Sequence, residues 1–562
     1  MQPSLPLLCF LLALPALALA QGSLTPPGAP APTMKTLDQV EARIPLPAGA
    51  RTTPIMIAGP GSYYLTGDIM VDHDAAIMIV GRNVTLDLNG YTISTTCTDD
   101  PKRGFGIVVV SGSVDVTIRN GRIRGEITRQ PDATYTGAGF QFGIYAGWET
   151  GKESNPVGVT VEDVAVDGAR YFGIMINGAD GRIRHCSVSH CGFEGLRATS
   201  VSDSVATDCG TAGIIAQEVT RSRGTGITYQ GIRAQTVVDS YGQSTSAHGI
   251  EAEVVIGSQG ESVSGCGIRS TIATSCHGSS TDSNGIQAFS VAHCYGYSMN
   301  GYGLYASAAS NSGGATGTGP YGLIAVYNAE NCTGYSNSGG GLYAENATNC
   351  AGTSLNGTRG LSASQTATGC SGRIYRVAGA DANRLDPAQP RALSAGIATN
   401  CIGTVDSSSG TSFGLFAGSA TNCRGLVTTN QDSNPDRPAC GLHAEQSASD
   451  SYGNCPTGYG LEAGNAANCT GESQSGTGLS AGNASNCTGQ TNSGSYGLNA
   501  SGNATNCTGF NTTGAYGLNA GGTASFCSGG RPSGTALQAS IAVACTAISG
   551  SITSPSKQLG TP

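Results

Sequence analysis

The chain reads as an all-β protein, a single-stranded parallel β-helix of about 20 coils, and three observations carry that reading. One apolar marker returns every 18 residues at Leu196, Ile214, Ile232, Ile250, Ile268, Ile286 and Leu304, continues at 19 through Leu323, Leu342 and Leu361, and resumes at Leu442, Leu461, Leu479, Leu498, Leu518 and Leu537. Each unit carries two to four apolar residues at alternating positions among Gly, Asn and Ser. No run is long enough for a helix, so the units fold as short strands. Eight or nine residues after the marker stands a cysteine, from Cys276 and Cys294 to Cys527 and Cys545, or a serine, as at Ser204, Ser222, Ser240, Ser258 and Ser312. One position per coil therefore takes a small, weakly polar side chain. A single Leu or Ile per unit also excludes a leucine-rich repeat.

From the N-terminus, residues 1–20 form an apolar stretch ending in Ala18-Leu19-Ala20, which fits a signal peptide cleaved before Gln21 and an exported, secreted or cell-surface protein. Residues 21–33, rich in Pro, Gly and Ala, read as a flexible linker. Thr36 and Gln39 form a capping box for a short helix through Arg43, within a cap over 34–54 that would cover the open first coil. Strands start at Ile55 and follow at Gly61 to Leu65, at Ile77 and Ile79, and at Val84, Leu86 and Leu88 before Asn89-Gly90. The β-helix is expected over 55–550, with loop insertions to about 195 and regular coils after it, and a tail over 551–562.

In the stretches TLDQVEAR (from Thr36), PGSYYLTGDI (from Pro60) and NVTLDLNGYTI (from Asn83) the chain resembles the opening of secreted bacterial parallel β-helix proteins with the pectin-lyase-like fold. The resemblance is specific over about residues 36–125. It implies a right-handed helix and, in the lyases of the family, calcium held by carboxylates with an Arg or Lys as base. No compact motif of this chain matches that catalytic set. A net charge of −9 argues against nucleic acid and anionic membranes as partners. After the leader, no stretch approaches the length of a membrane span, and a monomer is expected.

Binding sites on solenoids are built from insertions on one face. The marker interval lengthens to 37 residues from Ile107 to Ile144, 30 to Ile174, 32 from Leu361 to Leu393, 22 to Leu415 and 27 to Leu442. Insertions near 126–140, 373–390 and 427–439 precede the marker at one corner, as does the loop of Asp99, Asp100, Lys102 and Arg103. The segment from Trp148 to Pro156 follows the marker and opens on another edge.

At the N-terminal coils the column that later becomes asparagine reads Arg119, Glu162, His185, Asp203, Arg221 and Asp239, and about five residues on stand Asp167, His190 and Asp208. Rungs about 5 Å apart suit paired carboxylates for glycoside hydrolysis or a cation site, calcium being the cation the resemblance implies. The candidate catalytic residues are Asp167, His190, Asp208 and Arg184. Trp148 would stack a sugar, Glu162 and His185 would line the substrate, and Arg184 or Arg197 would meet an acidic saccharide. Alternating signs in one column are equally what cross-strand salt bridges on a solvated face produce. A second lip is offered by Arg373, Arg376, Arg384, Asp386, Asp432, Asp436 and Arg437, against the alternative of tolerated loop insertions. Two function classes stand: polysaccharide binding, with cleavage by a lyase or glycoside hydrolase, and a non-catalytic structural or adhesive surface rod.

Of 20 cysteines, 19 follow the leader. Neighbours in one column point the same way, so the column reads as buried free thiols. Off the column, Cys191 with Cys209 and Cys440 with Cys455 are disulfide candidates, which export permits. No CxxC pair or clustered histidine accompanies them, so a zinc site is not expected. Asparagine before the cysteine, at Asn331, Asn349, Asn400, Asn422, Asn468, Asn486 and Asn506, reads as a stacked amide ladder at a turn. Thr and Ser two before the cysteine read as pointing inward.

Overall fold

The computed structural model describes residues 43–558 apart from 73, 99–103, 133, 148–153, 377–388, 407–410 and 430–438. Each coil passes through three strand segments, two of which run together in many coils, as in Val157–Asp167 and Tyr459–Ala467. In the coil opened by the marker Leu196 these are Leu196–Arg197, Ser200–Ser202 and Val205–Cys209. Each pairs in parallel with its counterpart one coil on, Leu196 with Ile214, Val201 with Val219 and Ala206 with Gly224. The three stacks are called here the marker, second and third sheets. The marker ladder runs unbroken from Ile55 on Ile77 through Ile107, Ile144, Ile174 and Leu196 to Leu537 on Ile552. Register thus survives every insertion.

The solenoid has about 25 turns, not about 20, because pairing continues where the repeat phrase has faded. Arg43–Leu46 and Gly49–Arg51 already pair with Gly61–Leu65 and Ile69–Val71, so the first coil lies inside the segment 34–54 read as a cap. At the other end, Thr546–Thr553 and Ser556–Gln558 pair with the preceding coil and carry the ladder into the segment 551–562 read as a tail. There is no helix among the described residues. The leader, the linker and the helix expected from Thr36 lie outside them, except that Arg43 is already strand. At one rung per ~4.8 Å the stack is roughly 120 Å long.

The interior is thin. Marker side chains such as Leu304, Leu342 and Leu461 are fully buried, and the residue before the marker, glycine in most coils and alanine at Ala392 and Ala536, also faces inward. A Cβ on Gly285 would lie 2.4 Å from the Tyr297 nitrogen and 2.5 Å from the Gly303 oxygen. A second glycine column on the third sheet meets the first, a Cβ on Gly278 falling 2.2 Å from the Gly285 oxygen. Backbone meets backbone there, which leaves no room for a side chain. With glycine and marker both turned inward, the residues two before and one after the marker both reach the outer side, as the burial pattern of Tyr459–Ala467 shows.

Second and third strands meet at a residue in the left-handed region, among them His185 (φ 51°), Asp203 (51°), Arg221 (46°), Asn331 (52°) and Asn506 (52°). Asn and Asp tolerate that region better than other side chains, hence the asparagine column. Its amides also stack, Asn422 Nδ2 donating to Asn400 Oδ1 at 2.8 Å and Asn486 to Asn468 at 3.2 Å. The register corrects two members of the column. Arg119 and Glu162 stand one residue earlier, in a ladder with Arg184, and Asn120 and Asp163 hold the corner.

The next residue turns inward. Ser222 Oγ accepts the Ser204 N–H at 3.2 Å and donates to the Thr220 carbonyl at 2.8 Å. Cysteine repeats the pattern: Cys294 Sγ accepts the Cys276 N–H at 3.3 Å and donates to the Ala292 carbonyl at 3.2 Å. Serine and cysteine interchange because both can fill this paired role. Thr348, Thr368 and Thr421, two before the cysteine, are exposed rather than inward. Strand alternation gives the inward place to the preceding Ala347, Ala367 and Ala420.

Candidate functional site

Third strands of three successive coils end at Asp167, Cys191 and Cys209. His190 and Asp208 adopt left-handed φ values of 52° and 49°. One coil earlier Gly168 holds that place with φ 76°, and Asp167 pairs with Ser189, so it stands one residue short of the column. This offset lets the imidazole lie between two carboxylates. His190 Nδ1 is 2.7 Å from Asp167 Oδ1, and Nε2 is 3.7 Å from Asp208 Oδ2. Ser189 Oγ donates to the same Asp167 oxygen at 2.6 Å. Burial alone would raise the Asp167 pKa. Hydrogen bonds from Ser189 and His190, with the nearby His190 and Arg124 charges, outweigh burial and hold it below the ordinary carboxylate value.

The inserted hairpin of Thr128–Arg129 and Tyr135–Thr136, which pairs antiparallel, roofs this group. Tyr135 OH donates to the Asp208 carbonyl at 3.0 Å and to its Oδ1 at 3.2 Å. Arg129 comes within 3.9 Å of that carboxylate, and Arg170 donates to the Tyr135 carbonyl. Burial first, then the Asp208 charge, keep the phenol protonated far above its usual range. Asp167 and His190 still expose 48% and 45% of their side chains, so a ligand can reach them. Beside them on the marker sheet, Phe142, Phe172 and Phe193 stack with centroids 5.1 and 5.9 Å apart. Phe193, three residues after His190, has an exposed ring.

The structure therefore brings together Asp167, His190 and Asp208 and leaves the other candidates elsewhere. Arg184 donates to Glu162 at 3.0 Å at the end of the second strand, across the corner from the start of the third. His185 lies 3.8 Å from Asp163 and 4.0 Å from Asp203, beside a shallow groove of about 240 Å³ lined by Asn120, Arg122 and Ser187. Arg197 grips Glu194 with two bonds of 2.7 and 2.6 Å on the marker sheet. An arginine held bidentate by a carboxylate is already satisfied. Trp148 lies outside the described residues. Of the second lip, Arg373 pairs with Asp406 at 2.7 Å and stacks over Tyr375. Arg384, Asp386, Asp432, Asp436 and Arg437 lie outside the described residues.

Sequence reasoning missed Tyr135, Ser189 and the phenylalanine ladder. Only the alignment of Phe105, Phe142 and Phe172 two residues before their markers could have signalled the ladder. Cys191 and Cys209 are in register and stand as free buried thiols, as do Cys440 and Cys455. In-register parallel neighbours project alike, which suits the disulfide dihedral poorly, and Cys440 and Cys455 belong to different sheets of the coil. Burial pushes the Cys191 thiol up to about 12. Calcium does not fit the Asp167 cluster. It takes six to eight oxygens, whereas an imidazole fills the space between these two carboxylates.

The chain matches no known family and no curated protein. Among solved structures it is similar to the Dettilon tailspike protein (gp208), at 11% identity and a TM-score of 0.23 over 58% of this chain, and it spans 59% of the length of that protein. A mutant DFA-IIIase from Arthrobacter chlorophenolicus A6 gives 13% identity and a TM-score of 0.17, covering 73% of this chain and 85% of the other. The A-module of the mannuronan C-5 epimerase AlgE6 from Azotobacter vinelandii gives 12% identity and a TM-score of 0.16, covering 93% and 90%.

Proposed function

We propose that the chain is an exported, right-handed β-solenoid that binds an extracellular polysaccharide across Asp167, His190 and Asp208. The observation that supports this reading is the half-exposed carboxylate–imidazole–carboxylate row under an inserted hairpin, with exposed Phe193 alongside. Carboxylates accept hydrogen bonds from sugar hydroxyls, and aromatic faces carry the apolar side of a sugar ring. His190 occupies the space between Asp167 and Asp208, which leaves no place there for the water of a hydrolytic carboxylate pair, so binding is the activity this row supports.

The test is affinity electrophoresis of the full chain in gels carrying acidic or neutral polysaccharides, with assays for new reducing ends and unsaturated products. Asp167→Asn and His190→Ala are expected to weaken binding at least about tenfold, the loss of one charged hydrogen bond. Binding unchanged in both variants would overturn the reading. New reducing ends without unsaturated products would assign hydrolysis. The coils from Tyr459 to Ala542, which repeat without insertion, favour a second reading in which that half serves as a rod supplying length. Failure to bind any polysaccharide would leave the rod alone.

A further inference from the structure

Far along the solenoid, a thiol, an imidazole and a carboxylate converge on the outer side of the marker sheet. We propose that Cys440, His443 and Glu462 form a zinc site. Cys440 and His443 stand two before and one after the marker Leu442, the two positions that inward Gly441 leaves on the outside. Glu462 pairs in register with His443 from the next coil. The three donor atoms all lie within 4.8 Å of one another, and His443 Nδ1 is 2.8 Å from Glu462 Oε2. Zinc bonded at about 2.3 Å to sulfur and 2.0–2.2 Å to nitrogen and oxygen holds its donors roughly 3–4 Å apart. Sulfur has to move in by up to about 1.3 Å, and the His443–Glu462 pair to open by about 0.5 Å.

The donor set selects the metal. Thiolate and imidazole favour zinc over calcium or magnesium, and thiolate plus carboxylate neutralise its two charges. On binding, the Cys440 thiol proton, now donated to the Leu442 carbonyl at 3.0 Å, passes to solvent while a sulfur lone pair forms the bond to zinc. Around the site the His443 ring stacks on Phe416 at 5.0 Å and meets Phe413 at 5.6 Å. Arg391 lies over Phe416 at 3.5 Å, one positive charge within the same aromatic group. Cys440 is fully buried, whereas His443 and Glu462 expose 23% and 37% of their side chains. The metal therefore enters from solvent and keeps a water as fourth ligand, the arrangement of open zinc sites. The sequence shows only Cys440-Gly441-Leu442-His443; the third ligand is a coil away, which is why spacing alone argued against zinc.

Full-length protein stripped with a chelator would be titrated with Zn²⁺ against a chromophoric chelator and with Co²⁺ by visible absorption. The expected result is one equivalent bound, with a sulfur-to-cobalt charge-transfer band. Cys440→Ser should abolish the band. His443→Ala, on the outer face, should keep the far-UV circular dichroism of the apo protein and lose at least about 100-fold in affinity, since even outer-shell partners are worth 10–100-fold. Cys455→Ser, a buried thiol outside the group, should change neither. No bound equivalent, undiminished affinity in His443→Ala, or a band that survives Cys440→Ser would each overturn the proposal.

Discussion

In most coils inward glycines set the thickness of the solenoid. At Gly285 any added carbon meets backbone on the facing strand, and backbone cannot yield as a side-chain tip does. Gly285→Val is expected to lower stability by about 1–3 kcal/mol, the cost of overpacking, read as a lower urea midpoint. At the left-handed corner the opposite holds. Asn468→Gly should be close to neutral, while Asn468→Val should cost about 1–2 kcal/mol. Asp167 adds a pH dependence. Its folded pKa is depressed, so its contribution is fully present above the unfolded value of 3.8 and is lost as pH falls through the lower folded value. Ser189→Ala removes a hydrogen bond that lowers that pKa. Urea midpoints of the two proteins should differ near neutral pH and converge in acid. At this scale the cysteine column was legible as buried thiols, whereas the hydrogen-bonding reason for its serine replacements was not.

Among the elements, the hairpin bearing Tyr135 and the insertions at its corner carry the departures from regularity. Tyr135→Phe removes the bond to Asp208 without changing the ring. Hydrogen exchange in the hairpin is expected to quicken by about tenfold, one hydrogen bond's worth, with little change in global Tm. Unchanged exchange would show that the Arg170 and Arg129 contacts, with the Tyr135 ring lying beside Gly192 and Gly210, hold it without that bond. In regular coils the third strand ends on a buried hydroxyl, as where Ser298 Oγ accepts the Gly301 N–H at 2.8 Å. Beneath the C-terminal insertions that place is taken by Ile374, Val405, Val427 and Cys455, which join Ala392 and Ala439 in a separate apolar cluster. The lengthened intervals revealed where the insertions fall. They did not reveal that a tyrosine in one of them reaches a residue 73 positions away.

For the whole molecule, stability is the sum of coils and the interfaces between neighbours. Removing one full 18-residue coil, Ile286 to Gly303, joins two markers in register. The shortened chain is expected to keep its far-UV circular dichroism and a Tm within a few degrees. Removing half a coil should unfold the chain locally, because the inward columns would then face solvent.

The repeat alone determined that the chain is a parallel β-solenoid, which residues form the marker ladder, and at which corner the insertions leave it. These follow from periodicity, a local property read at intervals of 18 to 20 residues. Tertiary structure decided the remainder. The terminal coils pair although their phrase has faded, because a backbone ladder needs matched strands and not matched side chains. Asp167 meets His190 through a one-residue offset that spacing cannot express. Glu462 joins Cys440 and His443 only because winding sets residues a full coil apart in sequence one rung apart in space.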